Sequence, residues 1–432
     1  MPESNDFLSA AFALTVAFAV AVIAMLLVQF WLASRQIRYV AKHRDAVPPA
    51  FVDHVSKTAH QRAADYTIAK TRFGLLDAAF SAAVLIGWTL LGGLDALNRA
   101  LLGVLDPGMG QQLALLGAFA VIGGLLELPI SLYKTFGIEK RFGFNRMSGK
   151  LWLTDLVKST VFGAIIALPI AALVLWLMSA AGTYWWLWAA GAWMAFNLLL
   201  LVVYPVYIAP MFNKFEPLAD EVLRTRVTQL MQRCGFAADG LFVMDGSKRS
   251  AHGNAYFTGF GAAKRVVFYD TLLARLAPNE VDAVLAHELG HFKHKHVIKR
   301  IALMFALSFL GFALLGWLSA KPWFYSGLGV TPNLMAGAPN DALALLLFMM
   351  ALPVFSFFIS PLAAQLSRRD EFEADAYAVQ QTSGGDLSAA LLKLYEDNAA
   401  TLTPDPLYVR FYYSHPSAAE RLERLVPSIQ HA

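Results

Sequence analysis

Residues 284–291 read Val284-Leu285-Ala286-His287-Glu288-Leu289-Gly290-His291, an instance of the H-E-x-x-H pattern. On a helix, His287 and His291 lie four residues apart, so their imidazoles project from the same face. Two ring nitrogens at that spacing can bind one Zn²⁺ at about 2.0–2.1 Å. Glu288 can then accept a proton from a water on the metal instead of binding the metal itself. The motif therefore predicts two zinc ligands and a general base.

The residues around the motif favour a helix. Pro278 and Glu280 precede it, and proline and acidic residues are typical of a first helical turn. An isolated H-E-x-x-H also occurs on helices that bind no metal, so a third ligand elsewhere in the chain has to be found. An apolar stripe at helical spacing follows the start of the helix, formed by Val281, Val284, Leu285 and Leu289.

The composition indicates an integral membrane protein. Of 432 residues, 57% are hydrophobic and 15% are charged, whereas a soluble domain is about 45–50% apolar and about 25% charged. The net charge is +4 and no basic cluster is interleaved with aromatic residues, so we expect no nucleic-acid partner. Cys234 is the only cysteine, which excludes an internal disulfide. We expect it to be a small buried apolar residue.

Apolar runs long enough to cross a bilayer, for which about 20 residues suffice, recur along the chain. Between and after them lie two more polar segments. The first contains an amphipathic helix at 217–234 and strands at 241–244, 253–259 and 265–269. We divide the chain into a membrane region with five spans at 1–209, a catalytic segment at 210–300, two further spans at 301–366 and a C-terminal segment at 367–432. The predicted spans are 7–33, 73–94, 111–133, 160–180, 185–208, 301–318 and 343–366.

The distribution of basic residues predicts the orientation in the membrane. The links after the first, third and fifth spans carry most of the Lys and Arg residues near the bilayer. The positive-inside rule then places the N-terminus outside and the H-E-x-x-H segment in the cytoplasm. The alanine-rich composition favours a bacterial source. The membrane would then be the cell inner membrane, or the ER membrane if the source were a eukaryote.

A candidate third ligand lies at the end of the last span, in the run SRRDEFEAD at 367–375. Two histidines and a water require one carboxylate to complete a catalytic zinc site, and Glu371 is the best candidate, with Glu373 second. Asp375, one turn after Glu371, could accept the N–H of a ligand histidine, most plausibly His287. The alternative is that these charges only form a collar at the membrane interface. The presence of H-E-x-x-H favours the metal site.

Two more histidines, His294 and His296, follow the motif closely. On a continuous helix they would rotate away from the face of His287 and His291. We therefore predict a basic collar before the sixth span instead of a second metal site. The collar would also include Lys293, Lys295 and Lys299.

Taken together, these segments resemble the type I CaaX prenyl endoprotease family, a gluzincin group of membrane zinc metalloproteases. The likeness covers nearly the whole chain, and its N-terminal segments are more specific to this family than H-E-x-x-H is. The matching segments are 287–291, Ser367-Arg368 with 371–375, 63–66, 139–145, 254–256, 415–417 and 420–422.

The resemblance implies a mainly α fold in which about seven long membrane helices enclose a large chamber. A small α+β zincin-like catalytic domain would accompany them. It also implies one Zn²⁺ per chain, with His287, His291 and Glu371 as ligands and Glu288 as the base.

Further roles follow from the resemblance. His415 would stabilise the oxyanion, and Arg421 would orient neighbouring carboxylates. Asn254 and Ala255 would lie on an edge strand that pairs with an extended substrate.

The expected partners are a peptide or protein substrate, with a prenylated C-terminal CaaX motif as one candidate, and the lipid bilayer. The family processes C-terminal CaaX motifs of prenylated proteins, whereas a source without such proteins would favour membrane-protein quality control. One alternative is an intramembrane-cleaving zinc protease, but the motif helix lies between Asp282 and Lys293 and is too short and charged to span. Another is a non-enzymatic transporter, for which Glu127 within a span is thin support.

Overall fold

The computed structural model describes residues 2–236, 240–258, 265–333 and 338–425, and these residues are mostly helical. π-helical turns at Tyr133–Glu139 and Tyr204–Ile208 extend two of the helices. The helices are α1 Pro2–His43, α2 Lys57–Trp88, α3 Gly93–Leu102, α4 Met109–Leu132, α5 Gly149–Ala180, α6 Trp185–Val203, α7 Glu221–Arg233, α8 Asp270–Leu273, α9 Pro278–Lys293, α10 His296–Ser319, α11 Pro322–Gly327, α12 Asp341–Ser356, α13 Ser360–Gln381, α14 Gly384–Asp397, α15 Pro406–Tyr412 and α16 Ala418–Leu425.

The prediction of seven spans is confirmed within the described part of the chain. Each stretch is long and apolar enough to cross a membrane and overlaps one predicted span, but most extend beyond it at one or both ends. The stretches are Phe7–His43, Lys57–Trp88, Met109–Glu139, Gly149–Ala180, Gly182–Met211, His296–Ser319 and Asp341–Gln381.

The surface of the membrane helices is apolar where it faces outward. On α1, exposed apolar side chains recur every three or four residues, so one whole face of the helix is hydrophobic. Such a stripe would be unfavourable in water and is the surface that lipid tails cover. The exposed fractions along this face range from 44% to 70% for Leu8, Phe12, Val16, Val20, Ile23 and Leu27.

The second span was predicted to continue to residue 94, and this end is wrong. The helix stops at Trp88, and a turn with Gly92 at φ +76° leads into α3, where the sequence suggested only a polar link. Buried polar contacts explain the difference. Asn98 of α3 is 1% exposed, and its amide group bonds both to Gln111 and to Asn333. These contacts compensate for the polar residues that made the segment resemble a loop.

The catalytic segment contains a small mixed sheet. Within the described residues, its strand order is β1-β2-β4-β3, with β2 and β4 parallel and the outer pairs antiparallel. The strands predicted at 241–244 and 265–269 are confirmed, as is the middle of the strand predicted at 253–259, of which Gly259 lies outside the described residues. The strands are β1 Phe215–Pro217, β2 Gly240–Met244, β3 Ala255–Thr258 and β4 Arg265–Tyr269.

The start of the amphipathic helix was predicted four residues too early. Pro217 belongs to β1, which pairs with Phe242 of β2. The helix α7 begins only after Asp220, whose carboxylate accepts the N–H of Leu223 at 3.0 Å. Such an N-cap marks the boundary more sharply than the apolar pattern does.

The H-E-x-x-H helix is α9, and it begins at Pro278 as predicted. Glu280 accepts the backbone N–H of Ala277 at 2.6 Å and pairs with Lys393 of α14 at 2.7 Å. The rest of the helix is buried against α7, α13 and α14. This burial fixes the direction in which the motif histidines project.

The helices α9 and α13 approach each other closely at Gly290. A Cβ atom at this position would lie 2.9 Å from Cα of Ala374 and 3.0 Å from its carbonyl oxygen. Because those are backbone atoms, a side chain could be accommodated only if one helix moved. Gly290 therefore allows α13 to lie close enough for its carboxylates to reach the α9 histidines.

We expect Gly290→Ala to separate the two helices and to reduce both thermal stability and metal content. Overpacking of this kind costs about 1–3 kcal/mol. The matched control is Gly311→Ala in α10, where a new Cβ would meet nothing within 4 Å. This control should be neutral or stabilising, because Ala is favoured over Gly in a helix by about 0.5–1 kcal/mol. Thermal unfolding and metal content in detergent measure both variants; similar behaviour of the two would contradict the packing argument.

Candidate metal and active site

Three candidate ligand side chains converge between α9 and α13. Nε2 of His287 and Nε2 of His291 are 3.3 Å apart. A carboxylate oxygen of Glu371 lies 3.4 Å from each of them: Oε2 from His287 and Oε1 from His291. Within the described ranges, this is the one group of three or more His, Cys, Asp or Glu side chains arranged to hold a metal.

The spacing of these side chains is suited to holding one metal ion between them. Zinc bonds of about 2.0–2.1 Å at tetrahedral angles separate neighbouring ligand atoms by about 3.3–3.4 Å. The separations between the three side chains agree with that value. Oε2 of Glu371 is also buried without a hydrogen-bond partner in the described part of the chain. A buried carboxylate oxygen without a partner is costly, and a cation would remove that cost.

Asp375 lies on the far side of His287 from the ligand cluster. Its Oδ1 is 2.8 Å from Nδ1 of His287, which leaves Nε2 of the same ring directed at Glu371. Arg421 of α16 bonds both oxygens of Asp375, with Nε to Oδ2 at 2.8 Å. Arg421 is 5% exposed and Asp375 is 3% exposed. A buried charge pair of this kind holds the orientation of the imidazole, and loss of one partner is costly.

The two motif histidines have different electrostatic environments. Burial alone would lower the pKa of His287, but the hydrogen bond that its ring donates to Asp375 and the nearby Glu371 carboxylate outweigh burial and raise the pKa to about 9. Burial and the neighbouring His287 lower the pKa of His291 to about 3. A histidine binds a metal through a neutral ring, so protonation of either ring would oppose metal binding.

Glu288 faces the cavity that contains the ligand cluster. This cavity has a volume of about 390 Å³, and its walls include Asn254, Ala255 and His415. Burial raises the pKa of Glu288, so its carboxylate takes up a proton more readily than an exposed glutamate would. The arrangement places a carboxylate that can accept a proton beside the candidate ligands.

His415 approaches the cluster from the C-terminal segment. Its Nε2 lies 3.4 Å from Oε1 of Glu371, and its side chain is 64% exposed. His415 also lines a second cavity of about 630 Å³, whose other walls include Gln29, Lys70 and Tyr413. The His415 ring therefore lies between the candidate metal site and this second cavity, whose walls include membrane helices.

A further contact, not assigned a role from the sequence, attaches the His415 segment to α13. Arg368 is 7% exposed and donates to Oε1 of Glu420 at 2.6 Å. The other oxygen of Glu420 accepts the backbone N–H of Ser417 at 2.9 Å. This bridge joins α13 to the segment that carries His415.

The sequence interpretation of His296 is wrong. His296 is 1% exposed, not part of an exposed collar, and its Nδ1 lies 3.0 Å from Nδ1 of His291. The helix does not continue through this region: α9 ends at Lys293, and α10 begins at His296 after Lys295 at φ +57°. The break turns His296 back toward the motif. His294 is less deeply buried, and its ring stacks on that of His296.

Glu373, the second choice as a ligand, binds elsewhere. Its Oε2 lies 3.1 Å from Nε2 of His296, and its Oε1 accepts from Arg369 at 3.1 Å. It therefore takes no part in the cluster formed by Glu371 and the motif histidines.

Asn254 and Ala255 lie at an edge of the sheet, because β3 is an outermost strand among the described residues. The carbonyl of Asn254 accepts the N–H of Tyr269 in β4. In an antiparallel pair the bonded positions alternate, so the backbone groups of Ala255 and Phe257 point away from β4. These same residues line the cavity of the site.

The N-terminal segments that carry the resemblance meet this edge strand. The hydroxyl of Tyr66 bonds the Glu139 carboxylate at 2.7 Å, and His252 lies against that carboxylate at 3.8 Å. The ring of Phe144 stacks on His252. Residues of α2 and the π-helical turn thus hold the segment immediately before β3, a role that the sequence did not indicate for His252.

Comparisons with known proteins agree with this architecture. Residues 36–214 match the family profile described as CAAX prenyl protease N-terminal, five membrane helices, and residues 217–428 match Peptidase family M48. The chain is 33% identical to CAAX prenyl protease 1 of Saccharomyces cerevisiae, with 88% of each chain covered. It is 31% identical to the human CAAX prenyl protease 1 homolog, with 93% of each covered.

A solved structure shows the same fold. The crystal structure of S. mikatae Ste24p superposes with a TM-score of 0.90 at 30% identity, covering 95% of this chain and 99% of that one. This chain belongs to the CAAX prenyl protease family of M48 peptidases. It is a multi-pass membrane metalloendopeptidase with a mainly α fold, and its family implies a metal and a peptide or protein substrate. The transporter alternative is thereby set aside.

Proposed function

We propose that this membrane peptidase uses one Zn²⁺ per chain, bound by His287, His291 and Glu371, to cleave prenylated proteins near a C-terminal CaaX motif. The observation that carries the metal assignment is the set of 3.3–3.4 Å separations between the three side chains. The CaaX assignment is supported by relatives whose names state that activity and whose full length the chain nearly covers.

Each residue around the metal has a distinct proposed task. A Zn²⁺ held by His287, His291 and Glu371 would supply Lewis-acid chemistry, activating water and polarising the scissile carbonyl. Glu288 accepts the proton of the attacking water and passes it to the leaving amine. His415 donates a hydrogen bond to the negative charge that develops on the carbonyl oxygen. Asp375, held by Arg421, keeps Nε2 of His287 free for the metal.

The substrate is proposed to bind as an added strand beside β3. Ala255 and Phe257 direct their backbone groups toward the cavity, and a peptide paired with them would pass the Glu288 carboxylate. At present the N–H of Ala255 is bonded by the side chain of Asn254 at 2.9 Å. A bound peptide would replace the Asn254 side chain as the hydrogen-bond acceptor for this N–H. Asn254 therefore satisfies the N–H group that the peptide would use.

The active site is proposed to face the cytoplasm. The basic links after the first, third and fifth spans support this orientation. Prenylated C-termini on the cytoplasmic surface would then reach the site from the same side.

The first test is zinc content and cleavage of a farnesylated CaaX peptide, measured on wild type, Glu288→Gln and His291→Ala. Because a general base contributes about 10²–10⁴-fold, we expect Glu288→Gln to lose at least about 100-fold in turnover and to keep its zinc. His291→Ala should lose both. Glu221→Gln is the matched control, since Glu221 is 72% exposed on α7.

Equal turnover in wild type and Glu288→Gln would contradict the mechanism, and loss of zinc from Glu288→Gln would make Glu288 a ligand. The same peptide without its farnesyl group tests the substrate class. Faster cleavage of the lipidated peptide is expected, and equal rates would argue against recognition of the prenyl group.

Added-strand binding predicts how backbone N-methylation of the substrate affects cleavage. A strand bonds its neighbour through alternate residues, so methylation should block cleavage at every second position near the scissile bond and be tolerated between them. Steady-state kinetics on a series of singly methylated CaaX peptides measures this. An effect that decays smoothly with distance from the scissile bond, without alternation, would contradict pairing with β3.

The orientation can be tested with single added cysteines, because the native Cys234 is buried. Val222 in α7 is 70% exposed, and Val104 in the link before α4 is 77% exposed. A membrane-impermeant maleimide added to intact cells should label Val104→Cys directly and Val222→Cys only after permeabilisation. For an ER protein, sealed microsomes replace the cells and the expected pattern is reversed. Labelling of both positions on the same side would exclude the proposed topology.

A further inference from the structure

The contact between His291 and His296 determines which nitrogen of each ring carries a proton. Nε2 of His291 is the atom directed at Glu371, so it must present a lone pair to the metal. A neutral imidazole has one N–H, which then has to be on Nδ1. Nδ1 of His291 lies 3.0 Å from Nδ1 of His296. It therefore donates, and Nδ1 of His296 accepts.

The same reasoning continues to the next residue. With a lone pair on Nδ1, a neutral His296 carries its proton on Nε2. That nitrogen lies 3.1 Å from Oε2 of Glu373 and 3.6 Å from Oδ1 of Asp370, and both are carboxylate acceptors. The chain of donors runs from His291 through His296 to Glu373, and every proton along it has an acceptor.

We propose that His296 is a positioning residue for the metal: it fixes the tautomer and ring orientation of His291, and Glu373 in turn fixes His296. This inference rests on the proposed zinc site. Nδ1 of His287 contacts the Asp375 carboxylate directly at 2.8 Å. Nδ1 of His291 instead contacts the His296 ring, and that ring contacts the Glu373 carboxylate. The two ligand histidines are therefore supported by different means.

The backbone supports a specific placement of His296. Lys295 has φ +57° and ψ +31°, the left-handed conformation, which is unfavourable for a residue with a side chain. The side chain of His296 is nevertheless 1% exposed, so its position is determined by packing and by its two hydrogen bonds. Strain of this kind persists only where the surrounding contacts outweigh it.

Substitutions at position 296 can separate this role from simple packing. The amide oxygen of Asn lies close to where Nδ1 of histidine would be, and the amide nitrogen of Gln lies close to the Nε2 position. His296→Asn therefore keeps an acceptor for His291, whereas His296→Gln keeps a donor for Glu373 but offers His291 none. His296→Ala removes both contacts.

The experiment measures zinc affinity of purified wild type and variants by competition with a chromogenic chelator, with kcat and KM of peptide cleavage alongside. Loss of a residue that orients a metal ligand typically costs about 10- to 100-fold in metal affinity. We expect such a loss for His296→Ala and His296→Gln, a smaller loss for His296→Asn, and a smaller loss for Glu373→Gln. KM should change little, because His296 acts on the metal site and not on the peptide.

The control is His54→Ala, which removes an exposed imidazole from the link between α1 and α2. It should bind zinc like wild type. Thermal unfolding of every metal-free variant shows whether any loss of affinity reflects misfolding. Wild-type affinity in His296→Ala, or equal affinities for the Asn and Gln variants, would overturn the positioning role while leaving the zinc site intact. A wild type that binds no zinc would overturn both proposals.

Discussion

The close packing of α9 against α13 is the contact on which the candidate site depends. Because Gly290 has no side chain, the backbone of Ala374 can lie so close that it would collide with a Cβ atom at position 290. The two motif histidines lie on α9, and the third candidate ligand, the carboxylate of Glu371, lies on α13. If one helix shifted by even one ångström, the separations between the candidate ligand atoms would change. The packing of these two helices thus sets the separations between the candidate ligand atoms.

The polar residues around the site are arranged to protect that geometry. Asp375 and Arg421 form a buried pair that holds His287, and Arg368 with Glu420 attaches the segment that carries His415. Both arginines would be costly inside a protein if their partners were removed. The energy that these pairs contribute is less important than the single arrangement of side chains that they enforce.

The membrane and catalytic parts of the chain depend on each other. The π-helical turn at Tyr133–Glu139 ends in the carboxylate that bonds Tyr66 and faces His252. This contact lies directly before the edge strand that is proposed to bind the substrate. Residues in the first half of the chain therefore support a site whose chemistry is encoded in the second half.

The sequence by itself determined the parts of this protein that have a local or repeating signature. Long apolar runs require a bilayer wherever they fold, because their hydrophobic surface has no other favourable solvent. The spacing of His287 and His291 needs only one helical turn to become a pair of ligands. The need for a carboxylate beside two histidines pointed to Glu371 as the third candidate ligand, and the family resemblance favoured the same residue.

Only the tertiary structure decided the features that depend on contacts between distant segments. The sequence of α3 resembled a polar link, because the buried partner of Asn98 belongs to another helix. β1 was not predicted, because Pro217 pairs with a residue of β2 that is distant in the sequence. His296 was misplaced because a continuous helix was assumed, whereas the left-handed Lys295 turns the chain back onto His291. The physical reason is the same in each case. Local propensities differ by about 1 kcal/mol or less per residue, and a few buried hydrogen bonds from elsewhere in the chain outweigh them.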